Sequence, residues 1–229
     1  MVYGIVGFKT HAKLLLVTRR EAGHRGAPLL RRYAHLSTGN YNPKTARLYT
    51  DVGYLTSNAE VTADVDMVFQ QLSSLTQQKS TRQLLLAPFS MQAQQIRMIS
   101  RVADAARAGK PARIVLKLNS LTDEPLIEAL LEAGQAGARI DLIVRGACIL
   151  PPGVPGLSDN IRVRSIVGRM LEHTRVLYFR WGESDKDEAL YLSSADWMNR
   201  NMTRRIEAAW PVRDAALRQR VIDECLCPI

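Results

Sequence analysis

The sequence predicts an α/β protein, with a mixed, mainly parallel sheet flanked by helices, arranged as two α/β domains. Three observations carry this. From Gln83 onward, short apolar runs alternate with stretches of helical period, the pattern of βαβ units. Upstream, several strand-like apolar runs precede a single helix. One histidine-centred constellation also occurs twice, once on each side of the polar, aperiodic stretch Ser73–Arg82. That stretch divides the chain into residues 1–82 and 83–229. The 229 residues suffice for one or two domains with a real core. At 46% apolar and 23% charged residues, a disordered tail, a collagen and a coiled-coil rod are excluded.

The elements follow in order. Tyr3–Phe8 and Ala12–Val17 are short and apolar, bounded by glycine or charge, and read as buried strands. Arg19–Arg32 is a basic loop, so Ala12–Val17 and Arg32–Leu36 should form an antiparallel hairpin, and His24 inside it should be solvated. Ala46–Leu55 is a further strand. Asn58–Leu75 reads as a helix capped by Asn58, with Val61, Val65, Val68, Phe69 and Leu72 on one face. Strand Gln83–Ala87 follows, then helix Met91–Ala108 closed by Gly109, strand Arg113–Leu118, helix Glu124–Ala133 and strand Arg139–Val144. Pro151–Gly156 is a loop. Strands Arg162–Ile166, Arg175–Trp181, Ala189–Leu192 and Ile206–Trp210 precede a closing helix, Asp214–Leu226.

The formal charge is +9, from 31 Lys and Arg against 22 Asp and Glu. Such a surplus favours an anionic partner: nucleic acid, an acidic membrane or a polyphosphorylated ligand. No apolar run approaches the length of a membrane span, and no secretory signal opens the chain. Cys148, Cys225 and Cys227 form no CxxC pair, which suggests a reduced, cytoplasmic protein. The four histidines lack metal-site spacing, so no metal ligands are expected in this segment.

The duplicated constellation carries the chemistry. His11-Ala-Lys13 runs into an apolar strand, and Ser37-Thr-Gly-Asn40 follows. His173-Thr-Arg175 runs into another, and Ser193-Ser-Ala-Asp196 follows. The separations from histidine to turn are 26 and 20 residues. Residues i and i+2 of a strand share a face, so Lys13 should accompany His11 and Arg175 should accompany His173. A cation there binds phosphoryl oxygens, the small-residue turn admits an anion, and Asn40 or Asp196 can orient a ring. Two such half-sites supply a nucleophile and a general acid. A lone histidine at a strand start is more often structural; it is the duplication that makes the pattern specific.

The duplicated HxK/HxR with its small-residue turn resembles the phospholipase D superfamily. The stretches Lys9–Leu14, Tyr33–Asp51, Leu116–Asn119, Leu142–Gly146, Ser158–Arg162, Leu171–His173 and Ser193–Met198 more closely resemble bacterial polyphosphate kinases of the first type. That resemblance runs over essentially the whole chain. It implies two phospholipase D-like domains, a partial first one (1–82) truncated at its N-terminus and a second one (83–229). It also implies reversible transfer of the ATP terminal phosphate to inorganic polyphosphate through a phosphohistidine. On that resemblance His11 is the phosphorylated nucleophile, and His173 is an acid/base that contacts phosphate. Tyr49 and Arg145 match nucleotide-contacting positions. Lys13 and Arg175 accompany them at the phosphates, and His35, Asn40 and Asp196 act from behind. Magnesium is expected with ATP, its family ligands lying upstream. The implied partners are ATP or ADP and polyphosphate, with no specific nucleic acid, room for peripheral membrane association, and a homo-oligomer in full-length members. The alternatives are an incomplete piece that binds polyphosphate or nucleotide without turnover, and a phospholipase D-like phosphodiesterase.

Overall fold

The computed structural model describes residues 4–22, 27–74 and 80–226. Tyr3, His24 and Cys227 lie outside the described residues. The first strand, β1, is only Lys9–Thr10, and residues 4–8 form a turn rather than the expected strand. β2 (Lys13–Ala22) and β3 (Pro28–Ser37) make the expected hairpin, longer than the apolar runs suggest. Its outer half is carried by solvated arginines and a Tyr33 hydroxyl that donates to Glu21 at 2.7 Å. The Ala46–Leu55 strand is broken. A 3₁₀ turn at Thr45–Arg47 precedes β4 (Tyr49–Thr50), and β5 (Gly53–Thr56) pairs with β3. Helix α1 (Ala59–Ser74) starts as read, with the Asn58 side chain accepting from the backbone N–H groups of Glu60 and Val61. Val61, Val65 and Val68 are buried, but Phe69 faces solvent.

The rest of the chain supplies β6 (Leu85–Ala87), α2 (Met91–Arg107), β7 (Arg113–Leu118), α3 (Glu124–Gln135), β8 (Arg139–Val144), β9 (Ile161–Arg164), β10 (Leu171–Glu172), β11 (Val176–Arg180), β12 (Glu188–Ser193), α4 (Asn199–Thr203), β13 (Arg205–Pro211) and α5 (Ala215–Val221). A π-helical turn, Ile222–Leu226, follows α5. The central sheet is mixed. Its parallel pairs are β7–β8, β8–β9 and β1–β13, while β13–β12, β12–β11, β11–β7 and β13–β6 are antiparallel. α2 and α3 cover one face through Ile99, Val102, Leu126 and Leu130. The other face packs Val115, Ile143, Val176, Leu192 and Trp210 against β2, β3 and α1. The two parts of the chain therefore share one apolar layer. Asp64, 2% exposed on α1, reinforces the junction by accepting backbone N–H bonds from Arg82, Gln83 and Leu84.

Two short parallel pairings position the site. β1 leaves the first part and runs beside β13, Thr10 opposite Ile206. β10 leaves the second part and runs beside β4, Glu172 opposite Thr50. The two exchanges are equivalent, so each half lends the segment before its histidine to the other half.

Candidate active site

Both histidines sit just beyond these exchanged strands. The His11 backbone N–H donates to Ile206 O at 2.9 Å, and that of His173 donates to Thr50 O at 3.1 Å. The residue after each of these acceptors is a carboxylate, Glu207 in one case and Asp51 in the other. Each carboxylate takes the Nδ1 of the histidine that has crossed over. His11 Nδ1 lies 2.8–2.9 Å from the two Glu207 oxygens, and His173 Nδ1 lies 2.8 Å from Asp51 Oδ1.

The small-residue turns hold the carboxylates rather than the rings. Thr38 Oγ1 donates to Asp51 at 2.9 Å, and Ser194 Oγ donates to Glu207 at 2.5 Å. The same hydroxyls accept from the backbone N–H of Val52 and of Ala208, the residue after each carboxylate. Ser37 and Ser193 close the turns by accepting from Gly39 N and Ala195 N, both at 3.0 Å. Gly39 is required by packing, since a Cβ there would lie 2.1 Å from Asp51 Oδ2. Asn201 adds a third donor to Glu207, which is completely buried. An ionised carboxylate only accepts hydrogen bonds, so Nδ1 carries the proton in each imidazole and Nε2 keeps its lone pair.

Lys13 places Nζ 3.0 Å from both ring nitrogens of His11. Burial pulls its pKa down to about 8, against the attraction of Glu207, Asp51 and Asp196. One lysine therefore senses carboxylates of both halves. His173 is pushed below the ordinary histidine value, chiefly by burial, with Arg175 and Lys13 adding to this and Asp51 opposing it. Tyr49 leans on His173, with ring centroids 5.0 Å apart.

Several expected roles change. Arg175 does not present an open fork to phosphate. It is 2% exposed and bound through Nε and Nη2 to the two Asp196 oxygens, at 3.1 and 2.8 Å, while Nη1 donates to the carbonyls of Thr38 and His173. Asp196 orients Arg175 and accepts from Asn119 N at 2.7 Å; it touches neither imidazole. Asn40 is exposed and likewise orients no ring. His35 lies beside the exposed Leu15 and Val17 on the hairpin and is bonded to the Tyr41 hydroxyl at 2.7 Å. Arg145 donates to Asn119 Oδ1 at 3.3 Å and is linked to His173 through Asn119, Asp196 and Arg175.

Residue typing missed the ring-holding carboxylates, although a signal was present. Asp51 follows Ser37 by 14 residues, as Glu207 follows Ser193. Extending the repeat past its turns would have found both. Among the described residues no group of three or more His, Cys, Asp or Glu side chains is placed to hold a metal ion. Nor is any described helix long and apolar enough to cross a membrane.

Residues 1–78 match the family model for polyphosphate kinase C-terminal domain 1, and residues 84–226 match that for C-terminal domain 2. The chain is 53% identical to a polyphosphate kinase of Burkholderia ambifaria over 226 residues, 99% of this chain and 32% of the relative. It thus spans about a third of the length of the curated relatives it matches. The crystal structure of polyphosphate kinase from Porphyromonas gingivalis superimposes with a TM-score of 0.87 and 40% identity, over 97% of this chain and 33% of that one. A phosphatidylserine synthase from Haemophilus influenzae shares the fold alone, with a TM-score of 0.51 and 12% identity over 86% of this chain and 60% of that one. With both halves matched in order and more than half the residues shared with a curated relative, the chain belongs to the polyphosphate kinase family.

Proposed function

We propose that this chain carries the phosphoryl-transfer centre of a polyphosphate kinase, moving the terminal phosphate of ATP reversibly to inorganic polyphosphate through phosphorylated His11. The observation that supports this most is the crossed pair of imidazoles, each with Nδ1 bound to a carboxylate of the other half. His11 Nε2 attacks the terminal phosphorus as the bond to the ADP oxygen breaks, and charge is conserved as Nδ1–H leans further onto Glu207. Lys13 faces the oxygens of the transferred group. His173, neutral at rest, takes up a proton at Nε2 when phosphate charge arrives and returns it to the departing phosphate oxygen. Tyr49, beside His173, supports the nucleotide. Magnesium accompanies ATP as the counter-ion of its phosphates, and no step here is assigned to residues that ligate it. The setting proposed is the cytoplasm, with ATP or ADP and polyphosphate as partners and a homo-oligomer among full-length members of the family.

The test is incubation with γ-labelled ATP and magnesium. Acid-labile label should appear on the chain and vanish in His11→Ala; label that persists there would remove His11 as the nucleophile. A second reading, binding without turnover, is motivated by the share of its relatives that the chain spans, 32% of the Burkholderia ambifaria protein. Polyphosphate binding with no label would select it.

A further inference from the structure

The mechanism above uses nothing from the far end of the central sheet, yet strong positive charge gathers there. On β7, β8 and β9 the side chains alternate between two faces. Ile114, Leu116, Ile140, Leu142 and Ile161 point toward α2 and α3. The opposite face carries Arg113, Arg139, Arg162 and Arg164. The strand register sets Arg113 beside Arg139, Arg162 beside Asp141, and Arg164 beside Ile143. These four arginines line a cavity of ≈ 100 Å³, closed on one side by Leu226. One carboxylate, Asp141, faces them and lies 3.3 Å from both Arg113 and Arg139. Among the described residues no carboxylate pairs with Arg162 or Arg164. Four guanidinium groups against one carboxylate make a site that repels cations and wants more negative charge.

We propose that this cavity is a second anion site that takes an inorganic phosphate chain and leads it toward the histidine pair. The direction follows from the sheet. Arg145, directly after β8, continues the outward series of Arg139, Asp141 and Ile143, and Ser165, directly after β9, donates to its carbonyl at 3.1 Å. The arginines therefore climb from Arg113 and Arg139 past Arg162 and Arg164 to Arg145, whose contacts lead on to His173. A bare phosphate chain suits this site better than nucleic acid. No aromatic side chain lines the cavity, so bases would have nothing to stack on. Planar guanidinium forks spaced along a rigid strand match repeated phosphoryl oxygens. This inference rests on the proposed function only for the identity of the chain that arrives.

The test is calorimetric titration of the whole chain with long-chain polyphosphate, and with oligodeoxythymidylate of matched charge, over a range of salt. Arg162→Gln/Arg164→Gln should weaken polyphosphate binding about tenfold or more and make the salt slope shallower by about 1.5, the loss of two phosphate contacts. Asp141→Asn should tighten binding several-fold, a gain that unfolding cannot mimic. Unchanged affinity and slope in the double variant would overturn the proposal, as would oligodeoxythymidylate binding as tightly as polyphosphate and losing as much affinity in the double variant. Labelling of His11, measured in the same variants, is independent. If His11 is never labelled while the arginines still govern binding, the transfer reading fails and the anion site stands.

Discussion

Glu207 accepts a hydrogen bond from His11 across 196 residues of sequence, from a position with no exposure to water. The ring is thereby fixed in one tautomer by the opposite half of the molecule. Exchanging the carboxylate for an amide, Glu207→Gln, leaves the volume intact but removes the obligate acceptor. Formation of acid-labile phosphate on His11 should fall about 10²-fold or more, by analogy with acids that orient catalytic imidazoles. Nitrogen-15 NMR should show loss of the single Nδ1–H tautomer. Retention of that tautomer would count against the assigned role.

His173 has its pKa lowered chiefly by burial. It should titrate below 6.5 in the free chain, and tripolyphosphate should raise the midpoint, because negative charge arriving at Nε2 favours the imidazolium. NMR titration of the ring reads both. For stability, the unfolded chain binds the proton first, so His173 costs stability as pH falls below 6.5.

Lys13 gives a signature at the opposite end of the scale. Its pKa is about 8 in the folded chain against an ordinary 10.5. Between those pH values the unfolded chain holds a proton the folded chain has released, so stability rises with pH. The difference in unfolding free energy between the wild type and Lys13→Met should grow by about 3 kcal/mol across that window in denaturant titrations. A flat difference would mean that the lysine is hydrated.

Gly39 leaves no room for a side chain beside Asp51. Gly39→Ala should push Asp51 off His173, costing about 1–3 kcal/mol of stability and lowering the His173 midpoint further, since Asp51 is the group that raises it. Thermal unfolding and ring titration together separate this from simple destabilisation.

Arg175 and Asp196 form a buried bidentate pair. Asp196→Ala should cost about 3–5 kcal/mol, because it strands a guanidinium away from water. If Arg175 instead faced substrate, the loss would appear in binding rather than in the unfolding midpoint.

The sequence alone determined the local features. Periodicity located α1, α2, α3 and the βαβ alternation, and the Asn58 cap was readable from residue type. The doubled HxK/HxR pattern located both imidazoles and Lys13. Ala46–Leu55 misled because its apolar residues serve two short strands on different partners, β4 with β10 and β5 with β3. Tertiary structure alone decided which partner each functional group takes. The histidine and the carboxylate that holds it lie in different halves, brought together by two-residue strands too short to leave a periodic trace. Arg175 looked like Lys13 in the repeat, yet an adjacent buried Asp196 satisfied it, whereas Asn40 carries no charge and left Lys13 to the ring of His11. Pairing over such distances depends on strand register and burial, and neither is written in the spacing of residues along one segment.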